Sequence, residues 1–270
     1  MSMSQSSLQL LPAKQPHARP SDFDCVNILG VNVGILTRHR LTALLRECLD
    51  SGLTGWFSYV NVYAINISQT QPWFRLFLND SLVTYCDGQG VRLGASILGK
   101  SIPERIVMSD WIYDVCELAV MRQTRVFLLG STSEIIESAV EVLRYLYPEL
   151  DIAGYHHGFV SDIDSEVLVQ QINKANPDLL VVGMGMPHQE EWMLKYRERL
   201  NVRILLNAGS CFDYVAGAKK RCPAWMGIMG LEWLYRLAQE PRRLWKRYLI
   251  GNPRFLFRIL LRLGKPLENS

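Results

Sequence analysis

The sequence lacks any long apolar run, any secretory signal and any paired-cysteine motif. Its 270 residues contain no run of about 18 or more uncharged apolar residues, the length that a membrane-spanning helix needs. The first residues do not show the basic and then apolar pattern of a signal peptide, and the six cysteines are scattered without a C-x-x-C pair. We therefore expect a cytoplasmic protein in a reducing compartment, with neither a disulfide framework nor a cysteine-based zinc site.

Two common nucleotide-binding fingerprints are also missing. The dinucleotide fingerprint G-x-G-x-x-G does not follow the first predicted strand, and Gly183-Met184-Gly185 continues without a third glycine. No G-x-x-x-x-G-K-[S/T] phosphate-binding loop occurs. These absences argue against a nicotinamide-dependent dehydrogenase and against a P-loop NTPase.

What is present is a regular alternation of short apolar segments with longer amphipathic ones. Strand-like runs such as 56–60, 125–130 and 178–183 are each followed by a helix-like segment. This alternation predicts an α/β fold, with a Rossmann-like, mostly parallel sheet and helices on both faces. Residues 26–35 are predicted to form one further strand.

The composition divides the chain into three parts. Residues 1–22 are polar and rich in proline, which predicts a disordered leader. Residues 23–223 carry the α/β pattern and form the predicted main domain. Residues 224–270 form a predicted appendage, in which aromatic and basic side chains are interleaved. Residues 219–265 hold twelve Lys or Arg against two acids, a net charge of +10, whereas the rest of the chain carries −7.

A basic, aromatic-rich appendage on an acidic body indicates an anionic partner. Basic residues beside Trp and Tyr suit a membrane interface, and single-stranded nucleic acid is the alternative partner. A third interpretation is that the aromatic residues pack on the main domain and the charges are only solvated. Because no known nucleic-acid motif is visible, we favour a membrane surface over nucleic acid. We expect short helices, broken at Pro241 and Pro253.

Polar residues recur at the predicted carboxyl ends of the strands. Asn61, Asp87, Gln189 and Asp213 occupy such places, and Arg105 lies in a loop after the Asp87 segment. The carboxyl ends of parallel strands share one edge of a sheet, where ligands bind, so these side chains are predicted to line one crevice. Asp87, between a strand and glycines, is a candidate general base, and the alternative is that it only caps the next helix.

Two further stretches allow either a ligand or a structural role. Gly130 precedes three hydroxyl-bearing residues at a predicted helix start, which suits an anion seat or a capping box. Asp162 and Asp164 form a D-x-D that suits a divalent cation, although acids at a helix start are favoured for capping, which we prefer. His156 and His157 are adjacent and are expected to point to opposite faces, so we predict no metal site.

Six motifs in order resemble those of one family, the WecG/TagA/CpsF glycosyltransferases. They are residues 87–91 (DGQGV), 104–106 (ERI), 183–190 (GMGMPHQE), 207–213 (NAGSCFD), 230–236 (GLEWLYR) and 240–244 (EPRRL). The resemblance covers roughly residues 26–255. It implies an inverting transferase that moves a sugar from a UDP-sugar to a polyprenyl-diphosphate-linked acceptor, at the cytoplasmic face of the inner membrane and without a metal cofactor.

The resemblance also implies roles for individual residues. Asp87 matches the proposed general base, and Arg105 matches a position near the diphosphate of the donor. The other matched positions lie near the donor sugar (Asn61, Gln189), near the nucleotide (Phe159, Asp213) and on a C-terminal appendage that closes over the site (Arg236, Arg243, Lys246). Gly88, Gly130, Gly183 and Met184 complete the predicted substrate-binding set.

The resemblance leaves the donor sugar and the assembly open. Tyr59 stands where a small hydroxyl residue is common in wall-teichoic-acid members, which argues against UDP-N-acetylmannosamine as donor. Glucose, glucuronic acid, N-acetylmannosamine and its uronic acid remain alternatives, and a homo-oligomer is possible. The competing function is a non-catalytic nucleotide-sugar-binding protein or a scaffold of a polysaccharide assembly complex.

Overall fold

The computed structural model describes residues 20–263 of the chain. The predicted leader, residues 1–22, therefore lies almost wholly outside the described residues. Within the described range, no helix has both the length and the apolar character needed to cross a membrane.

A short β-hairpin precedes the main sheet. Strands β1 (Cys25–Ile28) and β2 (Val31–Gly34) pair in antiparallel fashion, so the prediction of a single strand over residues 26–35 is wrong. The two residues between them, Leu29 and Gly30, both have positive φ, at 51° and 88°. A two-residue turn with positive φ at both positions matches the twist of paired strands, and it reverses the chain here.

In the described part of the chain six strands form the main sheet, and the prediction that it is parallel is confirmed. They are β3 (Gly55–Val60), β4 (Val83–Cys86), β5 (Val126–Gly130), β6 (Ile152–His156), β7 (Leu179–Gly183) and β8 (Ile204–Asn207). Their spatial order is β4-β3-β8-β7-β5-β6, and every neighbouring pair is parallel. Parallel strands need helical crossovers, and these cover both faces.

Within residues 20–263, nine helices accompany the sheet. They are α1 (Arg38–Ser51), α2 (Val62–Ser68), α3 (Pro72–Asp80), α4 (Gln89–Ile97), α5 (Met108–Arg122), α6 (Ser133–Leu146), α7 (Asp162–Ala175), α8 (His188–Tyr196) and α9 (Cys211–Val215). Alternate residues of a strand pack into different hydrophobic cores, one on each face of the sheet. Phe57 packs against α1 and α5, whereas Trp56 packs into the core on the opposite face. The α/β fold class is thereby confirmed.

The C-terminal part, from residue 224 to residue 263, is mainly helical. Its elements are α10 (Ala224–Ile228), α11 (Glu232–Gln239), α12 (Pro241–Trp245), a π-helical turn (Lys246–Ile250) and α13 (Gly251–Leu263). Pro241 separates α11 from α12 as expected, whereas the predicted break at Pro253 is wrong. Pro253 is the third residue of α13, and the helix continues through it to Leu263.

Helix α13 packs back onto the main domain. Phe255 and Ile259 are fully buried in the core beneath α2 and α4. A Cβ on Gly94 would lie only 2.6 Å from Cζ of Phe255, so this contact needs a glycine in α4. Asn66 of α2 donates from Nδ2 to the carbonyl oxygen of Gly251 at 2.8 Å. The end of the appendage is thus anchored in the hydrophobic core.

The histidine pair differs from its prediction. The rings of His156 and His157 lie with their centroids 4.3 Å apart, so they do not point to opposite faces. Strand β6 ends at His156, and the alternation of an extended strand therefore does not apply to His157.

Candidate active site

A cavity of about 640 Å³ opens at the carboxyl edge of the parallel sheet. Its wall contains most of the predicted polar residues, namely Asn61, Asp87, Arg105, Asp213 and Arg236, together with Phe159, Gly183 and Met184. The sheet topology explains why Asn61 and Asp87 lie close together. Val60 pairs with Cys86 across β3 and β4, so Asn61 and Asp87 leave neighbouring strands side by side.

Asp87 stands at the end of β4 and is not the cap of the next helix. The N-cap of α4 is Gly88, which makes no side-chain cap, so the capping alternative for Asp87 is wrong. The backbone N–H of Asp87 donates to the carbonyl oxygen of Val60 at 2.8 Å. A Cβ on Gly88 would lie 3.4 Å from Cβ of Asn61, so Gly88 packs directly against Asn61.

The surroundings of Asp87 raise the pKa of its carboxyl towards neutral pH. Burial raises the pKa of its carboxyl to about 6, and the negative charge of Glu232 adds to the rise. Arg105 is the strongest opposing charge, and Arg236 and Arg247 also favour the ionised form. A carboxylate with a pKa close to the working pH is well suited to accept a proton from a hydroxyl.

Arg105 reaches the cavity from the loop between α4 and α5. Its Nη1 lies 2.5 Å from Oε2 of Glu232 in the first turn of α11, and each side chain is 24% exposed. The backbone N–H of Ile106 donates to the carbonyl oxygen of Cys86 at 2.8 Å, which holds the loop against the end of β4. The position of Arg105 therefore depends on both the main domain and the appendage.

Glycines at the floor of the cavity let neighbouring backbone segments lie close together. Gly130 pairs with Gly183 across β5 and β7, and a Cβ on Gly130 would lie 2.4 Å from the carbonyl oxygen of Gly183. Gly158 is also tightly packed, since its Cβ would lie 2.9 Å from Cα of Gly130. Gly130 lies beneath the wall, and Gly183 and Gly158 form part of its surface.

Gln189 lies behind the wall of the cavity. Its Oε1 accepts hydrogen bonds from the backbone N–H groups of Gly185 and Gly209, at 3.1 and 2.9 Å. Its Nε2 donates to Oε1 of Glu190 at 2.7 Å and lies 3.5 Å from the Tyr59 hydroxyl. In this structure its side chain orders two glycine-containing loops, so the sequence-derived contact with a donor sugar stays a prediction.

A buried carboxyl supports Gln189 and was not singled out from the sequence. Oε1 of Glu190 also accepts from Nδ2 of Asn207 at 2.8 Å, and the side chain is fully buried. Burial raises the pKa of Glu190 to about 7. Tyr59 completes this group, because a Cβ on Gly209 would lie 2.4 Å from the Tyr59 hydroxyl. Close packing thus fixes the ring of Tyr59 in the cavity wall.

The far end of the cavity combines an exposed aromatic ring with a carboxylate. Phe159 is 75% exposed, and Asp213 accepts a hydrogen bond from Ser131 Oγ at 3.3 Å. Lys219 Nζ lies 3.3 Å from Oδ1 of Asp213. Thr132 caps α6, so the residues after Gly130 include the helix cap that the sequence allowed.

The three basic residues predicted on the appendage do not all reach the cavity. Arg236 and Arg243 line the cavity, and Arg243 is paired with Glu240. Lys246 is exposed, stacks over the Trp245 ring at 5.5 Å and lines neither cavity. The next residue, Arg247, lines the wall instead. Sequence reasoning missed Arg247, because the π-helical turn decides which side chain faces inward.

A second cavity of about 680 Å³ meets the first at Asp87. Six residues belong to both walls, namely Asn61, Asp87, Arg105, Glu232, Arg236 and Arg247. The second wall also contains Leu93, Met229, Trp233, Phe255 and Leu256, so it is more apolar. Asp87 therefore stands between a polar cavity and a partly apolar one.

The D-x-D acids serve helix α7. Ser161 and Asp164 form a capping box, and Asp162 pairs with Lys195 at 2.7 Å, which confirms the capping interpretation. Across residues 20–263, no group of three or more His, Cys, Asp or Glu side chains is arranged to hold a metal ion.

Known proteins resemble this chain over nearly its whole length. Residues 26–268 match the Glycosyl transferase WecG/TagA/CpsF family. An N-acetylglucosaminyldiphosphoundecaprenol N-acetyl-beta-D-mannosaminyltransferase of Staphylococcus aureus strain MW2 is 29% identical over 238 residues, which cover 87% of this chain and 91% of that protein. The protein of the same name from strain NCTC 8325 has the same identity and coverage. The chain belongs to the WecG/TagA/CpsF family of glycosyltransferases.

Proposed function

We propose that this glycosyltransferase moves a sugar from a UDP-sugar, with inversion, to an acceptor linked to polyprenyl diphosphate, in the synthesis of a surface polysaccharide or exopolysaccharide. The single observation that carries the proposal is Asp87 at the junction of two cavities, with cationic side chains on the shared wall. The relatives' names specify a diphosphoundecaprenol-linked acceptor, which supports the same acceptor class here.

Asp87 is the proposed general base. Inversion requires the acceptor hydroxyl to attack the anomeric carbon from the face opposite the leaving UDP. The two cavities on either side of Asp87 provide separate places for donor and acceptor. A carboxylate that takes the hydroxyl proton in the transition state contributes about 10²–10⁴-fold to the rate.

Arginines are proposed to stabilise the leaving diphosphate. Arg105 and Arg236 lie on the wall shared with Asp87, and Arg243 lies on the first cavity alone. Guanidinium groups pair bidentately with phosphate, so they can balance the charge that develops on UDP as the glycosidic bond breaks. The proposed mechanism therefore needs no metal cofactor.

The nucleotide is proposed to lie at the far end of the first cavity. Phe159 offers an exposed ring for stacking, and Asp213 offers a carboxylate acceptor. The glycines Gly183 and Gly158 let the donor approach the backbone there. Tyr59 and Asn61 both line the cavity in which the donor sugar is proposed to lie. The names of the Staphylococcus aureus relatives specify N-acetylmannosamine as the sugar that they transfer, which keeps it among the candidate donors with glucose, glucuronic acid and N-acetylmannosaminuronic acid.

The appendage is proposed to bind the cytoplasmic face of the inner membrane. Phe257, Leu260 and Leu261 are exposed on α13, at spacings that put them on one helix face. Trp245 and Leu249 are exposed in the preceding turns, beside many basic residues. Exposed apolar side chains next to Lys and Arg are typical of a reversible interfacial contact.

The test is a transfer assay with a panel of UDP-sugars and a prenyl-diphosphate-linked acceptor. A transferase releases UDP in step with glycosylated lipid, whereas a nucleotide-sugar-binding scaffold binds donor and releases none. Turnover is expected to persist in EDTA. Turnover that returned only on addition of Mg²⁺ or Mn²⁺ would refute the metal-independent mechanism.

A further inference from the structure

We propose that Arg247 binds the diphosphate of the lipid-linked acceptor, and that the second cavity holds the adjoining part of the lipid chain. This inference rests on the proposed function, since it assigns a binding site to the acceptor. It adds a residue that the family motifs did not indicate.

Arg247 presents an unsatisfied donor in the cavity wall. Its guanidinium lies over the Tyr63 ring at 4.6 Å and near the Tyr248 ring at 5.7 Å. Its Nε is fully buried and has no hydrogen-bond partner among residues 20–263. Arginine keeps its charge in proteins, and a buried cationic donor without an acceptor is costly. An anionic ligand in the cavity that Arg247 lines would balance this charge.

The neighbours of Arg247 point to the second cavity. Tyr63 and Tyr248, which flank its guanidinium, line the second cavity and not the first. Arg243, in contrast, lines only the first cavity. The cations are thus distributed over both cavities, and Arg247 is placed to bind a second diphosphate beyond that of the donor.

The second cavity suits a ligand with an anionic head and an apolar chain. Arg247, Arg236 and Arg105 lie at the end that meets Asp87. Leu93, Met229, Trp233 and Leu256 supply apolar surface on the rest of the wall. A sugar linked through diphosphate to a prenyl chain has this order of groups, with its sugar hydroxyl towards the general base.

The test compares two ligands and two forms of the full-length protein by equilibrium binding without donor. One ligand is N-acetylglucosamine linked through diphosphate to a short prenyl chain, and the other is an alkyl N-acetylglucosaminide without phosphate. Arg247→Gln is expected to weaken binding of the diphosphate ligand about tenfold or more, since it removes the positive charge that faces the diphosphate. The neutral ligand is expected to change less than about twofold.

Three controls separate this role from others. Arg254→Gln removes the same charge from an exposed position on α13 and is expected to leave both affinities unchanged. Arg247→Lys keeps the charge without the planar fork and is expected to give an intermediate affinity. The affinity for UDP is expected to stay within about twofold in both Arg247 variants.

Each contrary result overturns the inference in a recognisable way. An equal loss for both acceptor ligands would indicate a structural role, and a matching loss of UDP affinity would assign Arg247 to the donor. Unchanged binding in both Arg247 variants would remove it from the site. Because binding is measured without turnover, a protein that binds the diphosphate ligand through Arg247 but transfers no sugar would refute only the proposed function.

Discussion

Arg105 Nη1 lies 2.5 Å from Glu232 Oε2, so the cation proposed to stabilise the leaving group is paired with a carboxylate from the appendage. Both residues line both cavities, close to Asp87. An incoming diphosphate must therefore compete with Glu232 for Arg105. The appendage thereby acts on the charge balance of the site as well as on its shape.

Replacement of the base is the most direct test of the mechanism. Asp87→Asn is expected to lower kcat by about 10²–10⁴-fold, because the acceptor hydroxyl loses its proton acceptor. UDP affinity is expected to change little, which calorimetry can check beside the rate of UDP release. Asp80→Asn, at an exposed carboxylate on α3, serves as a control and should match the unmodified protein. Near-normal turnover of Asp87→Asn would exclude Asp87 as the base.

The pH dependence of the reaction follows from the raised pKa of Asp87. The base must be ionised, so kcat/KM is expected to be low in acid and to rise as the pH increases through about 6. Glu232 raises the pKa of Asp87, and Glu232→Gln is therefore expected to move this rise to lower pH. Steady-state rates between about pH 4.5 and 8 would show the displacement. A displacement to higher pH would contradict the assigned electrostatics.

Tyr59 is expected to restrict the donor sugar. Its ring lies in the cavity wall beside Asn61, and its hydroxyl packs against Gly209. Tyr59→Thr removes most of this volume and is expected to raise the turnover of the bulkier UDP-N-acetylmannosamine relative to that of UDP-glucose. A panel of UDP-sugars measured on both proteins gives the ratio. An unchanged ratio would show that Tyr59 does not select the donor.

Membrane association is expected to depend on the exposed face of α13. The double variant Phe257→Ser and Leu261→Ser should weaken cosedimentation with anionic liposomes about tenfold or more, since full burial of one such side chain is worth about 1.5–3 kcal/mol. The double variant Met121→Ser and Tyr145→Ser removes apolar residues of α5 and α6 that are even more exposed, and is the matched control. Equal losses in both variants would show that the contact is not specific to α13.

The double variant Phe257→Ser and Leu261→Ser is a better test than a truncation, because part of α13 is buried in the hydrophobic core. Removal of residues from about 224 onward would take away Phe255 and Ile259, which are fully buried. Loss of one large buried aromatic side chain alone costs about 3–5 kcal/mol. A truncated chain would therefore report lost stability together with lost membrane contact.

The meeting of Asn61 and Asp87 was predictable, and the orientation of Gln189 was not. A polar residue at the end of an apolar run marks a strand end, and parallel strands bring such ends to one edge. The side chain of Gln189 turns to two backbone N–H groups that belong to Gly185 and Gly209. Gly209 lies twenty residues after Gln189 in the chain, and a local sequence pattern does not predict a contact over that separation.

In the appendage, too, the sequence predicted the composition of the site but not which side chains face it. Its basic and aromatic composition predicted an anionic partner, but one step along a helix turns a side chain by about 100°. The π-helical turn, which begins at Lys246, leaves Lys246 exposed and places Arg247 in the wall. Such turns depend on how α12 and α13 pack, so the choice between these two neighbours was made by tertiary contacts.

The amino-acid pattern alone determined the parallel sheet, the edge at which its polar residues meet and the family to which the chain belongs. These features depend on the period of apolar residues and on short motifs, both of which are local. Only the tertiary structure decided that Asp87 separates two cavities, that Glu232 pairs with Arg105 and that Arg247 faces inward. The physical reason is that each of these depends on the docking of the appendage against the sheet edge, where residues more than a hundred positions apart share one low-dielectric space.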